Sequence, residues 1–155
     1  MKMDIKIKSV KSIKHIRDSM ALVKRVFMEF EAPEYEPEGV NHFLDYIAAD
    51  AIKERIEKAE ITIWCAIVSG DIAGVIAMRP PCAISLLFVD KSYHRQGIAK
   101  YMVEYAVKHY RKADELVTVN SSPYAVEAYR KMGFTKTGPE ETASGVRFLP
   151  MVYSK

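Results

Sequence analysis

Residues 86–106, LLFVDKSYHRQGIAKYMVEYA, combine a strand-like and a helix-like pattern. The apolar run that ends at Val89 is short and rich in large hydrophobic residues, as in a central strand buried on both faces. A polar loop follows, and from about Gln96 to Arg111 apolar residues recur at helical spacing. The sequence therefore predicts a strand that leads through a short loop into a helix.

The amino end of this predicted helix is a candidate anion site. The first N–H groups of a helix have no intrahelical partner, and the helix dipole favours negative charge there. Gly97 has no Cβ to obstruct a diphosphate, and Lys91, Arg95 and Lys100 add positive charge. On these residues alone, an ordinary solvated helix start is an equally good interpretation. Neither the P-loop pattern nor G-x-G-x-x-G is present, which disfavours nucleoside triphosphates and nicotinamide cofactors.

The remaining segments alternate between strand-like and helix-like patterns. Ile5 and Ile7 alternate with lysines as in a strand, and an amphipathic helix is predicted from Ile13 to Phe30, with two short helices between Val40 and Ile56. Further strands are predicted in a hairpin within 61–81 that turns at Ser69-Gly70-Asp71, and at 115–120, 134–138 and 146–153. This order predicts a mixed α/β sheet in a single domain, residues 1–155.

One further helix has clear end signals. Ser122 is placed to cap it, Pro123 stands at its first position, and Gly133 follows its last residue, Met132. The sequence therefore predicts a helix from Pro123 to Met132.

Composition excludes several classes of protein. A chain of 155 residues with 49% hydrophobic and 28% charged residues suits one globular domain, and its net charge of +3 is low for a nucleic-acid-binding protein. Cys65 and Cys82 are too few for a disulfide framework, which favours reduced thiols and a cytoplasmic location. No apolar run approaches the ~18 residues of a membrane span. No cluster of His and Cys at ligand spacing accompanies His94 or His109, so no metal is predicted.

Residues 86–106, followed by 119–134, VNSSPYAVEAYRKMGF, resemble the two central motifs of the GNAT superfamily of N-acetyltransferases. In that family, a strand leads through Q/R-x-x-G-x-G/A into a helix, and a later helix closes in Y-x-x-x-G-F. Tyr129 to Phe134 match the second motif. The resemblance implies a mixed, mostly antiparallel central sheet flanked by helices on both faces, and an acetyl-CoA-dependent enzyme without a metal.

The resemblance also implies which residues bind acetyl-CoA. Main-chain groups of Leu87, Phe88 and Val89 are expected to pair with the pantetheine arm, and Asn120 and Ser122 to lie near the cofactor. The residues expected to hold the diphosphate are Arg95, Gln96, Gly97, Ile98, Ala99 and Lys100.

The sequence departs from the family pattern in three places. His94 stands where arginine or glutamine is usual, and Ala99 replaces the final glycine. The strand AISLLFV lacks the acidic residue that serves some relatives as general base.

For catalysis, the resemblance implies that Tyr129 donates a proton to the CoA thiolate while an amine attacks the thioester. A core aromatic is the alternative, because Tyr129 shares a helical face with Ala125 and Met132. Glu29 and Glu31 are the candidate bases, in a segment that lines the acceptor side in this family. A solvated acidic loop is an equally good interpretation of that segment.

The acceptor is expected to be a primary amine of a small molecule or peptide. No nucleic acid or membrane partner is expected, and the sequence is compatible with either a monomer or a homodimer. A non-catalytic acyl-CoA-binding module with the same fold is the alternative function. A nucleic-acid-binding domain is disfavoured, because its basic residues scatter around the predicted helix without a recognition motif. Those residues are Lys91, Arg95, Lys100, Lys108, Arg111 and Lys112.

Overall fold

The computed structural model describes residues 3–154, and within that range it contains five α-helices and eight strands. The helices are α1 (Ile13–Phe30), α2 (Pro37–Tyr46), α3 (Ala49–Glu57), α4 (Ile98–Tyr110) and α5 (Val126–Met132). The strands are β1 (Ile5–Ser9), β2 (Thr62–Val68), β3 (Asp71–Arg79), β4 (Ala83–Val89), β5 (Thr118–Ser121), β6 (Phe134–Lys136), β7 (Glu141–Ala143) and β8 (Val146–Tyr153).

The strands form a sheet in the order β1-β2-β3-β4-β5-β8-β6, and β7 pairs with β8. Every pairing is antiparallel except that of β4 with β5. Hydrophobic residues cover both faces of the sheet: Phe27 of α1 and Ile52 of α3 lie in one buried cluster, and Met102 of α4 lies in the other. The predicted mixed, mostly antiparallel sheet with helices on both faces is confirmed.

β4 and β5 separate soon after they begin. Their pairing covers only Ala83 with Thr118 and Ile84 with Val119, whereas β4 continues to Val89. The edge of β4 that faces β5 therefore has no strand partner over its second half.

The direction of the β4 backbone groups follows from one hydrogen bond. The N–H of Asp90 donates to the Ala73 carbonyl on the β3 side at 2.8 Å. Because the main-chain groups of successive strand residues alternate between the two edges, those of Leu87 and Val89 face the gap, whereas those of Phe88 face β3.

The structure also differs from the sequence prediction in the limits of elements. α4 begins at Ile98, β5 begins at Thr118, and the segment Pro123–Ala125 is a 3-10 turn that precedes α5. β7 was not predicted, because its three exposed residues show no alternating pattern. The cap at Ser122 is present, since its hydroxyl accepts the Ala125 N–H at 3.3 Å.

No helix among residues 3–154 is long and apolar enough to cross a membrane.

A backbone contact joins α2 to the turn between β7 and β8. The Glu36 N–H, just before α2, donates to the Gly145 carbonyl at 3.1 Å. A methyl group at Gly39 would lie 2.7 Å from the Gly145 carbonyl carbon and still nearer to its oxygen. Glycine at position 39 therefore permits this close approach.

Replacement of this glycine tests the contact. Gly39→Ala should lower the free energy of unfolding by about 1–3 kcal/mol, because the clash involves two backbone segments and outweighs the better helix propensity of alanine. Urea unfolding measures the change. Gly138→Ala is the matched control, since its new methyl would meet only Pro150 Cγ at an ordinary 3.7 Å. Equal stability of the two variants would contradict the contact.

Candidate active site

A cleft of about 1050 Å³ lies where β4 and β5 separate. Its walls come from the end of β4 and the start of α4, from the end of α1, and from the segment that includes α5. Among its lining residues are Phe30, Glu31, Leu87, Phe88, Val89, His94, Arg95, Gly97, Ile98, Ala99, Lys100, Tyr124, Tyr129 and Lys131. The β4–β5 cleft thus brings together most of the residues predicted from the two sequence motifs.

The amino end of α4 opens into this cleft. Gly97 is its cap with φ +81°, and its carbonyl accepts the Tyr101 N–H at 3.0 Å. The N–H groups of residues 98–100 precede this first intrahelical bond and are free to bind a ligand. A methyl group at Gly97 would have no described atom within 4 Å, so the space above the backbone is open. Arg95, Lys100 and Lys131 add positive charge.

The loop before α4 is fixed to α1 by two ion pairs. Arg25 contacts the Asp90 carboxylate at 2.6 Å, and Lys91 contacts Glu29 at 3.1 Å. Asp90 also accepts the Ser92 N–H at 2.9 Å. The hydrogen bond from Arg25 holds the pKa of Asp90 below its ordinary value. Glu29 is therefore an exposed anchor of the loop and does not line the cleft.

Glu31, just past the end of α1, is the acidic residue that lines the cleft. Burial raises its pKa to about 7 against a partial opposing effect of a hydrogen bond from Ser122, and the Glu34 carboxylate raises it further. A carboxyl group with this pKa can exchange protons near neutral pH.

Tyr129 of α5 lines the same cleft and is 6% exposed. Burial raises the pKa of its phenol, and the Glu31 carboxylate raises it further, so the hydroxyl stays protonated at neutral pH. Its ring packs edge-on against Phe134 with centroids 5.2 Å apart. Tyr129 is thus both a packed core aromatic and a lining residue of the cleft.

An aromatic cluster that the sequence did not predict crosses the cleft. The Phe30 ring packs against the His94 ring, with centroids 5.1 Å apart, and stacks on the Tyr124 ring, with centroids 5.3 Å apart. The three rings come from α1, from the loop before α4 and from the turn before α5. Tyr124 has one sequence signal: it precedes Ala128 and Lys131 at the spacing of one helical face, and all three residues line the cleft.

Three predicted binding residues do not line the cleft. The Gln96 side chain donates to the Ser92 carbonyl at 3.2 Å, and Asn120 is exposed on β5, opposite Pro150. Ser122 is buried and caps the turn before α5 while it hydrogen bonds to Glu31. Phe88 lines the cleft, although its main chain faces β3 rather than the gap. Residues 3–154 contain no group of three or more His, Cys, Asp or Glu suited to a metal.

A sequence model of the acetyltransferase (GNAT) domain matches residues 31–155. The chain belongs to the GNAT acetyltransferase family. Its members are acyltransferases, and the chain is an enzyme of that class.

Several solved structures show the same fold, among them two N-acetyltransferases. The PaiA N-acetyltransferase from Thermoplasma acidophilum in complex with coenzyme A has a TM-score of 0.76 at 18% identity, over 96% of this chain and 98% of that chain. A GCN5-related N-acetyltransferase from Rhodopseudomonas palustris has a TM-score of 0.78 at 17% identity, over 100% and 99%. The apo form of YjaB from Escherichia coli has a TM-score of 0.71 at 20% identity, over 98% and 99%.

The electrostatics of Glu31 predict that the free energy of unfolding depends on pH. A raised pKa means that the folded chain binds more protons than the unfolded chain between pH 4.5 and about 7. The contribution of Glu31 to the free energy of unfolding should therefore fall by about 3 kcal/mol as the pH rises through that window. Above the window it should stay constant. Urea unfolding of wild type and Glu31→Gln across pH 5–8 measures the difference.

Glu38→Gln, on the exposed face of α2, is the control for that measurement. The free energy of unfolding of Glu38→Gln should vary with pH as in the wild type, whereas Glu31→Gln should lack the decrease that Glu31 causes. The same pH dependence in all three proteins would contradict the desolvation of Glu31.

Proposed function

We propose that this acetyltransferase transfers an acetyl group from acetyl-CoA to a primary amine of a small molecule or peptide. The observation that carries the proposal is that Glu31, with a pKa of about 7, and the protonated Tyr129 line one cleft with the open amino end of α4. A base, an acid and an anion site are the three elements that this reaction requires.

The residues of the cleft fit the two polar parts of acetyl-CoA. The free N–H groups of residues 98–100, the open space above Gly97 and the charges of Arg95 and Lys100 suit a diphosphate. The gap-facing main chain of Leu87 and the gap-facing N–H of Val89 suit the amides of the pantetheine arm, as a neighbouring strand would. The similarity to the PaiA structure in complex with coenzyme A supports this assignment.

The main chain of β4 also supplies a donor for the thioester oxygen. When an amine attacks the thioester carbon, negative charge develops on that oxygen, and one well-placed N–H is worth about 3 kcal/mol. The N–H of Leu87 or Val89 faces the gap and has no strand partner there. A polar side chain is therefore not required at either position.

Glu31 acts as the general base. An amine of pKa ~10.4 is mostly protonated at neutral pH, and its proton must leave before attack. Transfer to a carboxylate of pKa about 7 costs about 3 kcal/mol less than transfer to one at the ordinary value of 4.5. Burial of Glu31 therefore improves the base while leaving a substantial fraction ionised at neutral pH.

Tyr129 acts on the departing sulfur. The raised pKa of its phenol keeps complete proton transfer to a thiolate of pKa ~8.5 uphill even when the thiolate is fully formed. Tyr129 therefore stabilises the thiolate mainly as a hydrogen-bond donor, and proton transfer is the last part of the step.

The end of the cleft beside Glu31 suits a cation. Glu34 lies close enough to raise the pKa of Glu31, and its Oε1 is buried without a hydrogen-bond partner among the described residues. Burial, followed by the charges of Glu31 and Glu34, raises the pKa of Tyr35. A carboxyl group on the cleft wall, with a second carboxylate and a tyrosine behind it, favours an ammonium group with an apolar portion.

A screen of amine acceptors tests this function. Wild-type protein and acetyl-CoA are mixed with polyamines, amino acids, aminoglycosides and peptides, and CoA release is followed with a thiol reagent. We expect release that depends on one class of amine, with an acetylated product by mass spectrometry. Release at the same rate without an amine, or CoA binding with no transfer, would contradict the proposal; the second result would favour a non-catalytic module.

The same assay with Tyr129→Phe tests the proposed acid. Turnover should fall at least tenfold with CoA affinity unchanged, because the hydroxyl acts on the leaving sulfur. The ring contact with Phe134 is kept in this variant. Full turnover with a confirmed acceptor would show that Tyr129 is only a packing residue.

A further inference from the structure

The last peptide unit of β4 is held from both sides. On the β3 side its N–H, from Asp90, donates to the Ala73 carbonyl at 2.8 Å. On the cleft side its carbonyl, from Val89, lies 2.7 Å from Nε2 of His94. A carbonyl can only accept, so Nε2 carries the hydrogen of this bond.

The imidazole of His94 is itself fixed in place. Its residue ends the 3-10 turn Lys91–Tyr93, where the His94 N–H donates to the Lys91 carbonyl at 3.3 Å. Its ring packs against Phe30, which in turn stacks on Tyr124. The turn and the contact with Phe30 therefore orient the His94 ring toward the Val89 carbonyl.

His94 donates a hydrogen bond to the edge of β4 that β5 leaves without a partner. Beyond Ile84, the cleft-facing edge of β4 has no strand partner, so its peptide planes lack the hydrogen bonds that orient a strand from its second side. The bond from His94 replaces one of them at the strand end. The cleft-facing groups of Leu87 and the Val89 N–H belong to the same edge, next to the fixed peptide.

We propose that His94 is a positioning residue for the pantetheine half of the cofactor: it acts through the Val89 carbonyl to hold the unpaired end of β4 in the orientation that receives the arm. This inference rests on the proposed acetyl-CoA cofactor. It separates His94 from Arg95, Gly97 and Lys100, which we assign to the diphosphate.

Binding of two ligands by calorimetry tests the proposal without an activity assay. CoA contains both halves, whereas 3′-phospho-ADP contains only the nucleotide half. His94→Phe keeps a ring beside Phe30 but has no donor, and it should weaken CoA binding about fivefold to tenfold while 3′-phospho-ADP binding stays within about twofold. His94→Gln retains an N–H donor and should restore CoA affinity to within about twofold of wild type.

His109→Phe is the matched control, because His109 also bonds a main-chain carbonyl, that of Tyr105 at 2.9 Å, yet is not a lining residue of the cleft. It should bind both ligands as wild type does. If His94→Phe does not fold, judged from its unfolding midpoint, His94→Ala is measured with the same two ligands.

Three results would overturn the inference. Equal weakening of both ligands would place the effect on the diphosphate loop, and unchanged CoA binding by His94→Phe would remove the role. Failure of the glutamine variant to restore affinity would show that the donor is not what matters. Absence of CoA binding by the wild-type protein is a distinct result, which would overturn the proposed cofactor together with this inference.

Discussion

The cleft exists because β4 and β5 separate after Ile84 and Val119. It leaves main-chain groups of a central strand without partners, and such groups must find a ligand, water or a side chain. The same separation opens the cleft between the start of α4 and the segment that ends in α5. A single irregularity in the sheet therefore creates both the hydrogen-bonding edge and the space beside it.

Two walls of the cleft differ in whether they stabilise a negative charge. The amino end of α4 favours negative charge, whereas the position of Glu31 disfavours it, because burial and Glu34 both oppose ionisation. The ion pairs of Arg25 and Glu29 join α1 to the loop before α4, so the segment that carries Glu31 and the loop that leads to Gly97 share one support. The proposed cofactor site and the proposed base are thus linked through α1.

Much of this could be predicted from the sequence. The helical spacing of α1 and the end signals at Ser122 and Gly133 express local chemistry, and they predicted the elements well. Partners from distant parts of the chain are a different matter. Helical geometry does favour Glu31 over Glu29, since Glu31 is four residues beyond the buried Phe27 and Glu29 four beyond the exposed Arg25. The bond of His94 to Val89, however, depends on the path of a loop whose residues show no periodicity.

The pH dependence of kcat/KM for an amine acceptor, measured in wild type and in Glu31→Gln, shows whether Glu31 is the base. The base must be ionised to accept a proton, so wild-type kcat/KM should rise with pH through a midpoint near 7. The variant should be at least tenfold slower and lack that midpoint. A variant with the same midpoint as wild type would assign it to another group and contradict the role of Glu31 as the base.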